Sequence, residues 1–250
     1  MPRLVLAKAL ELHEDGRACL ADQNQTFTGT VMDEYEVDGA LAVIETPYRE
    51  GQPHGISMWR YPTGQVAGSL TYREGLATGN EIWWHQGGQK KSQSHYEKGL
   101  LEGNATGWHT NGQVEWQANW RAGKAEGDYT QWNAQGGRRV LRSYKDGARE
   151  GVETHWFTNG KRSLQIHWRA GARHGEQSDW YPTGQPMSVT PYSEGVQDGL
   201  ATGWHASGEV AFKTTYHKGK PVRRQEWAKD GQAIDLTAEG WAADGSPIKP

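Results

Sequence analysis

The sequence predicts an all-β fold: an elongated single sheet made of about eight stacked antiparallel β-hairpins. Three observations predict it. Glycine recurs every 24 residues at Gly55, Gly79, Gly103, Gly127, Gly151, Gly175 and Gly199, with further glycine columns nine and twenty residues after each. Counting each of these glycines as position 0, position 17 is always aromatic: Tyr72, Tyr96, Trp120, Tyr144, Trp168, Tyr192 and Tyr216. Position 5 is Trp in six of the seven units, at Trp84, Trp108, Trp132, Trp156, Trp180 and Trp204, with Arg60 as the exception. A fixed period of this length marks a repeat array, in which each unit buries its apolar face only against its neighbours.

One period shows why each unit reads as a hairpin. In the unit beginning at Gly151, residues 152–157 form a short run rich in aromatic and β-branched types. Thr158-Asn159-Gly160 then supplies a turn, because Asn and Gly adopt positive φ cheaply. In residues 163–168, Leu164, Ile166 and Trp168 alternate with Gln165 and His167, the period of a half-buried strand. Arg169-Ala170-Gly171 closes the unit with a second turn. Two strands per unit add about 9–10 Å of sheet, so eight units make a rod roughly 75–80 Å long. Position 13 (Trp116, Val140, Leu164 and Phe212) is expected to join the buried face, although Gly68, Ser92 and Ser188 also occupy it.

The ends depart from the period. Residues 1–28 read as an N-terminal cap, 29–231 as the array and 232–250 as a C-terminal cap or tail. Residues 29–55 form a divergent first unit, longer by two, with Tyr35, Gly39, Tyr48 and Gly51. Trp227 and Gly231 resume the pattern after loss of one residue, but Arg223 stands where the next periodic glycine belongs.

Bulk properties narrow the function. Only 35% of the 250 residues are apolar, so the core is thin, and the 13 Trp and 10 Tyr supply much of its burial. A net charge of −3 without a basic run argues against a nucleic-acid partner. Cys19 is alone, so no intramolecular disulfide forms. No apolar stretch reaches the ~18 residues of a membrane span. Residues 4–12 carry Lys8 and Glu11 and lack a leader's cleavage site, so a cytoplasmic location is expected, with a periplasmic one as the alternative.

Trp108-His109-Thr110-Asn111-Gly112-Gln113-Val114 and Trp120-Arg121-Ala122-Gly123-Lys124-Ala125-Glu126-Gly127 resemble the MORN repeat. They look most like the bacterial MORN-variant repeat of the antitoxin-component family. The resemblance covers about residues 27–231 and departs at Arg60, with Trp59 one place early, and at Arg223. It implies a binding scaffold without enzyme activity. The bacterial variants look like neutralising partners of secreted toxins, including lipase-type effectors, so a cognate toxin is the implied partner. Eukaryotic arrays imply the alternative, a structural scaffold at a membrane or phospholipid surface.

Nothing in the array reads as catalytic, and no cofactor or metal is expected. His85, His109 and His205 share position 6, and stacking sets neighbouring equivalents about 10 Å apart, too far for one ion. No Gly-x-Ser-x-Gly elbow occurs, and the paired turn glycines Gly87-Gly88 and Gly136-Gly137 precede no helix that would bind phosphate. Asn24-Gln25-Thr26 and Asn104-Ala105-Thr106 match glycosylation acceptors, a pattern that chance also produces.

Recognition is expected at the variable positions instead. Positions 4 and 6 flank the Trp column and are expected on the strand face opposite it. The candidate partner-binding residues there are Trp59, Tyr61, Trp83, His85, His109, Asn133, His155, Phe157, Asp179, Tyr181 and His205. Their aromatic and His content suits protein recognition, and the same rings would equally pack over a neighbouring hairpin. The position-23 acids Glu102, Glu126, Glu150 and Asp198 read as a solvated turn stripe or as steering for a basic partner.

Overall fold

The computed structural model describes residues 4–21, 25–37, 39–236, 241–242 and 244–247. Asn24 of the first acceptor-like tripeptide and the extreme tail residue Pro250 lie outside them. The fold is all-β and mostly antiparallel; the one helical element among the described residues is a single 3-10 turn, Ala7–Ala9. The chain forms two compact units, Met1–Lys124 and Ala125–Pro250.

In the first unit, Leu4–Leu6 runs parallel to Gly29–Val37, with Leu4 opposite Thr30. A small separate hairpin pairs Leu10–Leu12 with Ala18–Leu20, so the expected N-terminal cap contains real strands. Gly29–Val37 pairs with Ala40–Arg49, Gly55–Arg60 with Val66–Arg73, Leu76–Trp84 with Lys90–Glu97, and Gly103–Trp108 with Val114–Arg121. In the second unit the hairpins are Gly127–Trp132 with Arg138–Lys145, Ala148–Trp156 with Arg162–Arg169, Ala172–Trp180 with Pro186–Ser193, and Gly199–Trp204 with Val210–His217. Lys220–Glu226 is the last strand.

Both turns follow from residue chemistry. At the first, Phe157 N–H donates to Lys161 O at 2.8 Å and Gly160 N–H donates back to Phe157 O at 3.0 Å. Gly160 has φ +81°, as a three-residue hairpin loop requires at its last position. The second turn has positive φ at both central residues, Ala170 at 47° and Gly171 at 81°, the signature of a type I′ hairpin. Its first central residue is never glycine: Glu50, Glu74, Lys98, Ala122, Asp146, Ala170, Glu194 and Lys218 all hold φ near +50°.

These strained turns are held by the preceding repeat. Gly171 N–H donates to Arg149 O at 2.9 Å, and the carboxylate of Glu150 accepts from Ala170 N–H at 2.7 Å. Glu102 serves Ala122, Glu126 serves Asp146 and Asp198 serves Lys218 in the same way. The acidic stripe therefore caps turns, each acid reaching the left-handed residue of the next repeat.

A register shift changes which positions share a face. The ladder slips by one residue between positions 4 and 5 of each first strand, as between His155 and Trp156. Directly paired residues share a face of an antiparallel sheet. Position 4 pairs with position 13 inside each hairpin and with position 13 of the preceding repeat. In the first unit this row runs Ile44, Trp59, Gly68, Trp83, Ser92, Gly107, Trp116. The degeneracy of position 13 is thus complementarity. Rings sit opposite glycines: a Cβ on Gly203 would come within 2.0 Å of Phe212, and one on Gly107 within 2.1 Å of Trp116.

The first unit holds the larger apolar cluster, Val37, Ala42, Trp59, Tyr61, Ala67 and Leu70, with Tyr72, Trp83 and Tyr96 against it. In the second, Ile166, Ala201 and Leu236 are buried beside the polar Glu153, Thr154 and Thr214. The C-terminal segment repeats the first-turn hydrogen bonds twice, at Ala228 with Gln232 and at Ala242 with Ser246. Arg224 N–H donates to Gly245 O at 2.7 Å, so this segment satisfies donors along the last strand.

Candidate functional site

Positions 4 and 6 separate in the structure. Trp59 and Tyr61 are only 8% and 4% exposed and Trp83 packs against the same cluster, so these rings fill the core of the first unit. Several position-6 side chains bind the next repeat. Tyr61 and Tyr181 hydroxyls donate to Trp84 O and Trp204 O, and His85 and His205 Nε2 donate to Trp108 O and Trp227 O. His109 lies within 4.0 Å of Glu115, and the amide oxygen of Asn133 accepts from Gln135 N–H and Gly137 N–H inside its turn. Phe157 is half-buried at a turn entrance. The position-5 Trp residues are also half-buried, and cations from the preceding repeat lie over three of them: Lys90 over Trp108, Arg138 over Trp156 and Arg162 over Trp180.

His155 and Asp179 belong to a different arrangement. In the second unit the position 4–13 row runs Gln131, Val140, His155, Leu164, Asp179, Ser188, Gly203, Phe212. Beside it lies the row of positions 2 and 15, whose pairs are Tyr129 with Arg142, Glu153 with Ile166, and Gln177 with Thr190. Elsewhere these positions hold small, hydroxyl or apolar side chains, such as Ser57 with Leu70, Ala105 with Ala118, and Ala201 with Thr214, with Glu81 opposite Ser94 as the exception. Charged and amide groups replace them across three consecutive repeats.

Glu153 is the centre of this patch, with a side chain only 3% exposed. His155 Nε2 donates to its Oε1 at 2.7 Å, and Arg149 Nη1 lies 3.1 Å from its Oε2, close enough to pair but misaligned for a hydrogen bond. Arg142 Nη1 stands 4.0 Å away. Burial alone pushes the Glu153 carboxyl up, but the His155 hydrogen bond and the charges of Arg149, His155 and Arg142 outweigh it and hold the group below its ordinary value.

Aromatic faces hold the guanidiniums. Arg142 lies 4.4 Å from the Tyr129 ring centre and 5.8 Å from that of Tyr144. Arg149 and Arg173 approach Trp168 from the two flanking strands, at 4.8 and 5.9 Å, and Arg173 also lies 5.1 Å from Tyr192. Position 22 is Arg in these two repeats alone; it is Ala77, Leu101, Ala125 and Gln197 in others. Four buried polar atoms here lack hydrogen-bond partners: Arg142 Nε, Trp168 Nε1, Glu153 Oε2 and Gln177 Oε1. Gln177 Nε2 and Ser188 Oγ both donate to Asp179 Oδ2, at 3.3 and 2.9 Å.

Residues 173–194 match the family model described as MORN repeat variant. The matched segment contains the position-23 to position-0 step, the Trp180 turn and the Tyr192 strand of one unit. A MORN-type repeat is therefore present, and the same columns recur through the array. No curated protein matches the chain. One similar solved structure is the crystal structure of a GtfA/B complex bound to UDP and GlcNAc, with 13% identity and a TM-score of 0.21. The match covers 44% of this chain and 21% of that chain, and at this TM-score it carries no argument. Sequence reasoning named His155 and Asp179 but missed Arg142, Arg149, Glu153, Arg173 and Gln177. Their signal was available as departures from the positions 2, 15 and 22 columns, but the one-residue slip hid that position 4 pairs with position 13 and so joins the two strands' residues on one face.

Proposed function

We propose that this protein is a protein-binding repeat scaffold that neutralises a cognate secreted toxin by stoichiometric occlusion. The observation that carries the reading is the division of labour between frame and exceptions. Glycines, turns and inter-repeat hydrogen bonds fix the backbone, while the charged and amide departures at positions 2, 15 and 22, Glu81 apart, gather in one patch of the second unit. A preformed surface loses little conformational entropy on binding, and Trp, Tyr and Arg are the residue types that dominate interface energies. The toxin assignment comes from the resemblance of the repeats to the antitoxin-component family. The protein acts by covering its partner, with no chemistry of its own. Coexpression with a secreted toxin from the same genome tests the reading: growth is rescued in proportion to the amount of this chain. Growth arrest that persists with every such toxin would overturn it.

A further inference from the structure

We propose that Arg142, Arg149 and Arg173 form an anchoring site for a carboxylate, taking an Asp or Glu side chain from an acidic segment of a protein partner. The inference rests on the protein-binding reading above and assigns the chemistry of its contact.

Charge complementarity is the first argument. Two guanidiniums, Arg142 and Arg149, flank one buried carboxylate, Glu153, which His155 also serves, and Arg173 lies one strand beyond against Trp168. The Arg173 side chain makes no ion pair among the described residues; its one hydrogen bond there goes to the Tyr192 hydroxyl, at 3.1 Å. Positive charge is therefore in excess in a chain of net charge −3. Asp179, whose Oδ2 accepts from Gln177 and Ser188, offsets part of it, and the three arginines still outnumber the two carboxylates of the patch.

The second argument is preorganisation. A guanidinium resting on an aromatic face keeps its planar fork oriented and loses little freedom on meeting a carboxylate. Arg149 and Arg173 are disposed in this way on either side of the strand carrying Trp168. The Arg149 side chain remains 36% exposed, so part of it is open to a partner. The third argument is the unspent donors. Arg142 Nε and Trp168 Nε1 are buried without partners, which costs about 1–3 kcal/mol for each such group. A purely structural ion-pair network gains nothing from that arrangement. A carboxylate, with two oxygens and several lone pairs, is the group complementary to these two donors; the other two unpartnered atoms, Glu153 Oε2 and Gln177 Oε1, are acceptors that it leaves unserved.

The indole N–H of Trp168 provides the readout. Its signal, assigned with Trp168→Phe, is followed in the full chain during titration with blocked hexaglutamate up to ~5 mM, the range of weak single-site contacts. The expected result is a saturable shift that weakens with added salt. Blocked hexaglutamine and hexalysine give no such shift, and this comparison needs no variant. In the Arg149→Gln/Arg173→Gln chain the midpoint rises at least ~10-fold, a factor worth about 1.4 kcal/mol. No shift with hexaglutamate, an equal shift with hexaglutamine, or an unchanged midpoint in the double variant overturns the site. Inorganic phosphate acting at the same or lower concentration overturns its assignment to carboxylates. Failure here with toxin rescue intact removes only the anchor, whereas acidic-peptide binding without rescue removes only the toxin reading.

Discussion

Glu81 and Glu153 occupy the same place in their repeats, two residues after the periodic glycine, and their surroundings drive them in opposite directions. Burial pushes the Glu81 carboxyl up, with only a hydrogen bond from Trp83 opposing it. At Glu153 the histidine and arginines reverse the sign. The linkage follows from these directions. Glu153, depressed in the fold, contributes stability above its ordinary value of 4.5 that is lost as pH falls through its folded value. Glu81, raised in the fold, favours the folded state while protonated and loses that contribution as pH rises through its folded value. Glu153→Gln should therefore destabilise at pH 7 by about 2 kcal/mol or more, since it leaves partly buried cations unpaired. Glu81→Gln should stabilise at the same pH. Urea midpoints of the two variants check both signs, and the acid-side loss of stability should be smaller in Glu153→Gln than in the parent chain.

At the scale of the element, each type I′ turn places a residue with a side chain in the left-handed region. Ala170→Gly should raise stability by about 1 kcal/mol, read as a higher urea midpoint at unchanged slope. Glu150→Ala should lower it by about 1 kcal/mol, because the Ala170 N–H loses its carboxylate acceptor. The ring rows behave differently. Gly203→Ala forces Phe212 aside, so a double-mutant cycle with Phe212→Ala should give a coupling of about 1 kcal/mol or more. Hairpins and turns were legible because glycine spacing and Thr-Asn-Gly chemistry act locally. The face assignments were not, because a one-residue slip at each Trp breaks the alternation on which a strand reading depends. For the same reason Trp59 and Tyr61, expected on a recognition face, are core residues.

The low apolar content is matched by repeats that are joined to their neighbours, within each compact unit, through backbone hydrogen bonds and turn-capping acids as well as thin apolar clusters. The periodic columns build the frame, and the charged and amide exceptions at positions 2, 15 and 22, Glu81 apart, lie in the second unit. Trp241-Ala242 and Gly245-Ser246 extend the turn pattern past the point where the 24-residue spacing ends, which a fixed period does not detect. If the patch is the partner's seat, Phe157→Ala, at a half-buried turn outside it, should weaken partner binding by less than the Arg149→Gln/Arg173→Gln pair does. An equal or larger loss at Phe157, about 2 kcal/mol in a direct binding assay, would move the contact to the position-6 edge. The central claim is neutralisation by occlusion. Its most direct test is growth of cells producing a secreted toxin from the same genome together with this chain. The account predicts full rescue at a one-to-one ratio and its loss in the double arginine variant. Continued arrest despite an abundant, folded chain would contradict it.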